Sequence, residues 1–119
     1  MGTVETLDKD SFEAALDDPG LTVVDFWAAW CGPCRVMAPQ LEQAASLRPQ
    51  HRFAKVDVDA EPELAAAYGV RSIPTLLVLR DGRPVAAQAG VVGAAQLVQA
   101  LDRIHAAPAA EPAVASEAR

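Results

Sequence analysis

The stretch Val23-Val24-Asp25-Phe26-Trp27-Ala28-Ala29-Trp30-Cys31-Gly32-Pro33-Cys34-Arg35 decides how the rest of the chain is read. It holds both cysteines and three of the six aromatic side chains, with one acid embedded in an apolar run. Leu21 to Trp27, interrupted only by Thr22 and Asp25, predicts a strand buried on both faces and therefore central in a sheet. The Cys-x-x-Cys opens a helix that runs to about Leu47, with Met37, Leu41 and Ala44 on its core face and Pro39 kinking it. Arg52 to Val58 alternates as a second strand, and strand, helix and strand together make a βαβ unit.

Working outward, Thr3 to Thr6 can form a short strand. Asp8 offers an N-cap to a helix carrying Phe12, Ala15 and Leu16, which Pro19-Gly20 ends. Glu61 to Tyr68 reads as a short helix with Pro62 in its first turn and Gly69 just past its end. Leu76 to Leu79 is a strand, Asp81-Gly82 a two-residue hairpin turn, and Pro84 to Ala89 a returning strand that Pro84 marks as an edge. A last helix from Ala94 to about His105 carries the stripe Leu97, Val98, Leu101 and Ile104. The sum is α/β: a mixed sheet of about five strands flanked by four helices, in the order βαβαββα. Residues 1–106 form one domain, and Ala107 to Arg119 is an Ala-, Pro- and Glu-rich tail expected to be disordered.

A chain of 119 residues, 51% of them apolar, is long enough to bury a core without crosslinks. The net charge of −6, with no Lys/Arg cluster, argues against nucleic acid as a partner. No window approaches the ~20 apolar residues of a membrane span. Met1 to Leu7 carries neither a basic segment nor a long apolar run, so the expected compartment is the cytoplasm, where thiols are kept reduced. Two cysteines this close enclose too small a loop to staple a domain.

At a helix N-terminus, free N–H groups and the positive end of the dipole favour a thiolate. That predicts Cys31 with its sulfur toward solvent as the attacking thiol, and Cys34, shielded by the helix, as the one that resolves the mixed disulfide. The competing readings are a structural zinc half-site or two unrelated core cysteines. Structural zinc wants four ligands, and only His51 and His105 remain, expected to be solvated and far apart. The βαβ setting favours redox chemistry.

Asp25, desolvated among apolar neighbours, should have a raised pKa and could take the proton of Cys34, or it could lie in water at a strand end. Lys55, in the neighbouring strand, could modulate Asp25, although a solvated Lys is the commoner case. Ile73-Pro74-Thr75 could hold a cis bond that opens the Ile73 backbone to an extended ligand, against the more frequent trans turn. Trp27 fits the core. Trp30 is either core or a surface beside the thiols. Asp57 and Asp59 read as strand-end and helix-capping groups.

The run Asp25 to Cys34, together with Pro39, Ile73-Pro74-Thr75-Leu76, Asp81-Gly82 and Gly90, resembles bacterial thioredoxins from about Val4 to Ile104. The resemblance implies a thioredoxin fold and a cytosolic, monomeric protein-disulfide reductase, a thiol–disulfide oxidoreductase acting on disulfide-containing target proteins. It would bind no cofactor or metal, and thioredoxin reductase would recharge it with electrons from NADPH. In that family Cys31 matches the nucleophile, Cys34 the resolving thiol, Asp25 the buried acid, Lys55 its neighbour and Pro74 a cis-proline. Trp30, Gly32, Pro33, Ile73, Gly90 and Val91 match substrate-binding positions. Gly93 stands where the last helix usually has a Ser or Thr cap, which predicts a weaker cap. An oxidase or isomerase of an oxidising compartment is the second reading, against which Gly32-Pro33 and the plain N-terminus argue. A binding module using the same apolar patch is the third.

Overall fold

β2 (Leu21–Trp27) lies at the centre of the sheet, as its apolar run predicts, with every residue from Leu21 to Phe26 buried. The structure, a computed structural model, describes residues 2–108. The other elements are β1 (Glu5–Thr6), α1 (Lys9–Ala15), α2 (Gly32–Leu47), β3 (Arg52–Asp57), α3 (Pro62–Ala67), β4 (Thr75–Arg80), β5 (Arg83–Ala89) and α4 (Ala94–Ala106). The strand order is β1-β3-β2-β4-β5. β2 pairs parallel with β3 and antiparallel with β4, and β5 closes the sheet antiparallel to β4. The order βαβαββα describes β2 through α4. β1 and α1 stand in front of it, β1 being two exposed residues laid parallel on β3. Of the tail expected from Ala107, residues 109–119 lie outside the described residues.

The strand period of two divides the core. Val23, Phe53, Leu76 and Val78 face α2 and α4, where they meet Met37, Leu41, Leu97 and Leu101. Val24, Phe26, Val56, Leu77 and Leu79 face the opposite side, with Phe12 of α1 and Ala65 of α3. Burial of each large apolar side chain contributes roughly 1.5–3 kcal/mol. α2 runs through Pro39, whose ring nitrogen leaves the helix one backbone hydrogen bond short.

The β4–β5 turn shows how local sequence becomes tertiary contact. Asp81 and Gly82 have φ of +53° and +83°, the left-handed pair a tight hairpin needs. The Asp81 carboxylate accepts from the Gly20 N–H at 2.8 Å. Gly82 is packed so closely on the Leu16 carbonyl that a Cβ there would overlap it, whereas Gly69, also at positive φ, faces open space. Gly82→Ala should therefore cost more than about 2 kcal/mol, and Gly69→Ala only about the 1 kcal/mol of left-handed strain. Urea unfolding of the two variants checks this, and equal losses would refute the close-packing explanation.

Two expectations about the histidines are corrected. His51 is buried, 8% exposed, and its ring lies 5.4 Å from that of His105 across the start of β3 and the end of α4. The Arg48–Asp102 pair, joined by two 2.8 Å hydrogen bonds, ties the end of α2 to α4 and brings them together. Burial first, then His105, holds the His51 imidazole below its ordinary pKa.

Candidate active site

β2 ends at Trp27, and four residues later Cys31 takes the N-cap position of α2 with extended backbone, φ −90° and ψ 111°. The Cys34 N–H donates to Cys31 Sγ at 3.2 Å. Cys31 thus stands where an Asp or Ser would cap a helix, with sulfur in place of oxygen, and Pro33 occupies a first-turn position that has no N–H to spare. The two sulfurs are joined as a disulfide, with Cα atoms 5.3 Å apart.

The expected contrast of Cys31 outward and Cys34 inward is not present in this oxidised form. Cys31 is 4% exposed and Cys34 3%. Ala28, Trp27, Val58 and Ile73 pack around the disulfide-linked pair. Cys31 Sγ lies 3.8 Å from the Ile73 carbonyl oxygen. That oxygen precedes the Ile73–Pro74 bond, which is cis, the isomer that the family resemblance implied. Pro74 is buried; its carbonyl accepts from the Gly90 N–H at 2.8 Å, while Thr75 Oγ1 donates to the Ser72 carbonyl at 2.6 Å. The two loops facing the cysteines are thereby bonded to each other.

Asp25 is 3% exposed in mid-β2, on the strand face shared with Val23, which is the α2 side of the sheet. Its cross-strand partners are Lys55 on β3 and Leu76 on β4. Burial pushes its pKa up from 3.8 to about 6, and the nearby positive charge of Lys55 partly offsets this. Its Oδ1 is buried without a protein hydrogen-bond partner. Lys55 is half-buried rather than solvated, its Nζ 5.1 Å from the centre of the Trp27 ring. Among the described residues no group of three or more His, Cys, Asp or Glu side chains is placed to hold a metal.

The thioredoxin family model matches residues 3–103, nearly all of this fold and both cysteines. The chain belongs to the thioredoxin family. Thioredoxin of Staphylococcus aureus is 43% identical over 104 residues, covering 87% of this chain and 98% of that protein. The bifunctional thioredoxin reductase/thioredoxin of Mycobacterium leprae is 43% identical over 103 residues, covering 86% of this chain and 22% of that protein. Among solved structures, chloroplastic thioredoxin z has a TM-score of 0.82 and 31% identity, covering 90% of this chain and 98% of that one. The chain has the α/β thioredoxin fold, and with its Cys31–Cys34 pair it is a thiol–disulfide oxidoreductase with protein-disulfide reductase function.

Around the disulfide of this chain the exposed side chains are apolar. Trp30 is 68% and Val91 45% exposed, Gly32, Pro33 and Gly90 are exposed, and Ile73 is half-buried between them. An open groove beside Trp30 and Ile73 is lined by Val58, Ala65 and Val70 together with the polar Arg71 and Ser72. Asp59 is the site residue that sequence reasoning misplaced. Its carboxylate accepts from Trp30 Nε1 at 2.9 Å, and its own N–H donates to the Asp57 carboxylate at 2.9 Å. α3 begins after Glu61 with no side-chain cap at all. A contact spanning 29 positions has no local signature.

Proposed function

We propose that this chain reduces disulfides of other proteins in the cytoplasm as a monomer, with Cys31 as nucleophile. The Cys31 thiolate attacks one sulfur of the substrate disulfide. That S–S bond breaks, the other substrate sulfur leaves as a thiolate, and a mixed disulfide remains. Cys34 gives its proton to the Asp25 carboxylate and attacks Cys31 Sγ. The second substrate thiolate is released and the Cys31–Cys34 disulfide closes, so two electrons have passed to the substrate.

The observation that carries this assignment is the Cys34 N–H aimed at Cys31 Sγ at the start of α2, since a donor there stabilises negative charge on that sulfur. Asp25, with a pKa of about 6, is mostly ionised at neutral pH yet close enough to it to hold a proton transiently. Lys55 moderates that value. Trp30, Gly32, Pro33, Ile73, Gly90 and Val91 form the docking surface, with Pro74 as its buried support and the Ile73 backbone available to an extended segment.

A flavoprotein thioredoxin reductase returns two electrons from NADPH, a partnership supported by the fused reductase and thioredoxin of the M. leprae relative. No helix among the described residues is long and apolar enough to cross a membrane. The test is NADPH oxidation coupled through a thioredoxin reductase to insulin. Turnover that depends on this chain is expected, and turnover equal to the blank would refute the reading.

A further inference from the structure

We propose that Met37 and Gln40, one turn apart on α2, are positioning residues that latch the Gly90–Val91 docking loop to the helix bearing the cysteines. This rests on the reading above that Gly90 and Val91 meet the substrate. The loop between β5 and α4 runs through Gly90, Val91, Val92 and Gly93, and it has few backbone partners of its own. At its start the Gly90 N–H reaches the Pro74 carbonyl. Beyond that, two donors of the loop and its junction with α4 end on α2 side chains: the Val92 N–H on Met37 Sδ at 3.4 Å, and the Ala94 N–H on Gln40 Oε1 at 2.8 Å.

Gly93 has no side chain with which to cap α4, and Gln96 Oε1 reaches its N–H only at 3.4 Å. Gln40 supplies from α2 an acceptor for the Ala94 N–H, the first of the free donors at the start of α4, whereas a Ser or Thr at Gly93 would serve the donors of the next two residues. Met37 is fully buried, so its thioether has no water as an alternative partner. An N–H left without an acceptor here would be free to draw the loop toward solvent. The effect would fall on Val91 and Gly90, which are exposed, rather than on the disulfide.

The test uses Met37→Leu with Gln40→Leu, which removes both acceptors while nearly conserving volume. Loss of two such bonds should speed amide exchange at Val92 and Ala94 by about tenfold or more, and raise KM for insulin by roughly 3- to 10-fold. kcat, and the rate with a small aromatic disulfide that needs no docking loop, should stay within about twofold. Gln40→Glu alone keeps an acceptor oxygen and should match the unsubstituted chain.

Unchanged exchange at Val92 and Ala94 would overturn the latch. So would faster exchange with an unchanged KM, or an equal loss of rate with the small disulfide. Val91→Asp separates the two levels. If it raises KM for insulin while the double variant does not, the latch fails and the docking surface stands. If Val91→Asp leaves KM unchanged, the docking assignment fails and this inference with it.

Discussion

Cys31→Ser is expected to reduce insulin at less than about a thousandth of the unsubstituted rate, because it removes the nucleophile and leaves everything else in place. A serine hydroxyl is not ionised at neutral pH and does not open a disulfide as a thiolate does. Serine is at the same time a good N-cap, so its oxygen can still accept from the Cys34 N–H, which now donates to sulfur at 3.2 Å. The start of α2 and the neighbouring Ile73–Pro74 segment should survive, and the loss should be chemical. A circular dichroism spectrum and melting temperature matching the reduced parent protein, with activity at the blank, is the expected pair of results. Activity within tenfold of the parent would remove Cys31 from its proposed role.

The second large effect is on stability. A buried carboxylate whose pKa is raised from 3.8 to about 6 binds its proton more tightly in the folded state than in the unfolded one. Its favourable contribution is complete below about pH 3.8 and is lost as the pH rises through about 6. At pH 8 the charged form therefore destabilises the fold by on the order of 2–3 kcal/mol, from a shift of about two units at 1.36 kcal/mol each. Asp25→Asn removes the charge at nearly constant volume. The oxidised variant should unfold at higher urea concentration than the parent at pH 8, by about 2 kcal/mol, with the difference shrinking toward zero at pH 4. An equal difference at both pH values would show that Asp25 is not desolvated as described. The same substitution should slow release of substrate from the mixed disulfide, since Cys34 then loses its proton acceptor.

Much of this was legible in the chain itself, and the reasons are local. Leu21 to Phe26 has too many apolar side chains for a half-exposed strand, and it is central. Asp81-Gly82 demands left-handed backbone at two successive residues, and the hairpin is there. Pro84 belongs on an edge, and β5 has one strand neighbour, with a register irregularity opposite it at Val78/Leu79.

What the chain did not disclose depends on contacts distant in sequence. The Trp30–Asp59 bond, the burial of His51 and the Gln40 cap on α4 each join segments far apart in the chain, and no periodicity announces them. The expected exposure of Cys31 failed for a different reason. It considered only the helix end, and Ala28, Trp27, Val58 and Ile73, from both sides of the site, pack over the disulfide. The weak cap inferred from Gly93 is there, since no side chain at that position serves the α4 donors, but the Ala94 N–H just after it finds Gln40 on α2, which nothing local announces.

The measurement that bears most directly on the division of labour between the sulfurs is trapping. Reduced Cys34→Ser protein mixed with insulin should accumulate a covalent adduct, and peptide mapping should place its mixed disulfide on Cys31, with the adduct released by dithiothreitol. If instead no adduct forms, or the reduced Cys31→Ser protein captures insulin through Cys34 at a comparable rate, Cys31 is not the attacking thiol and the account fails.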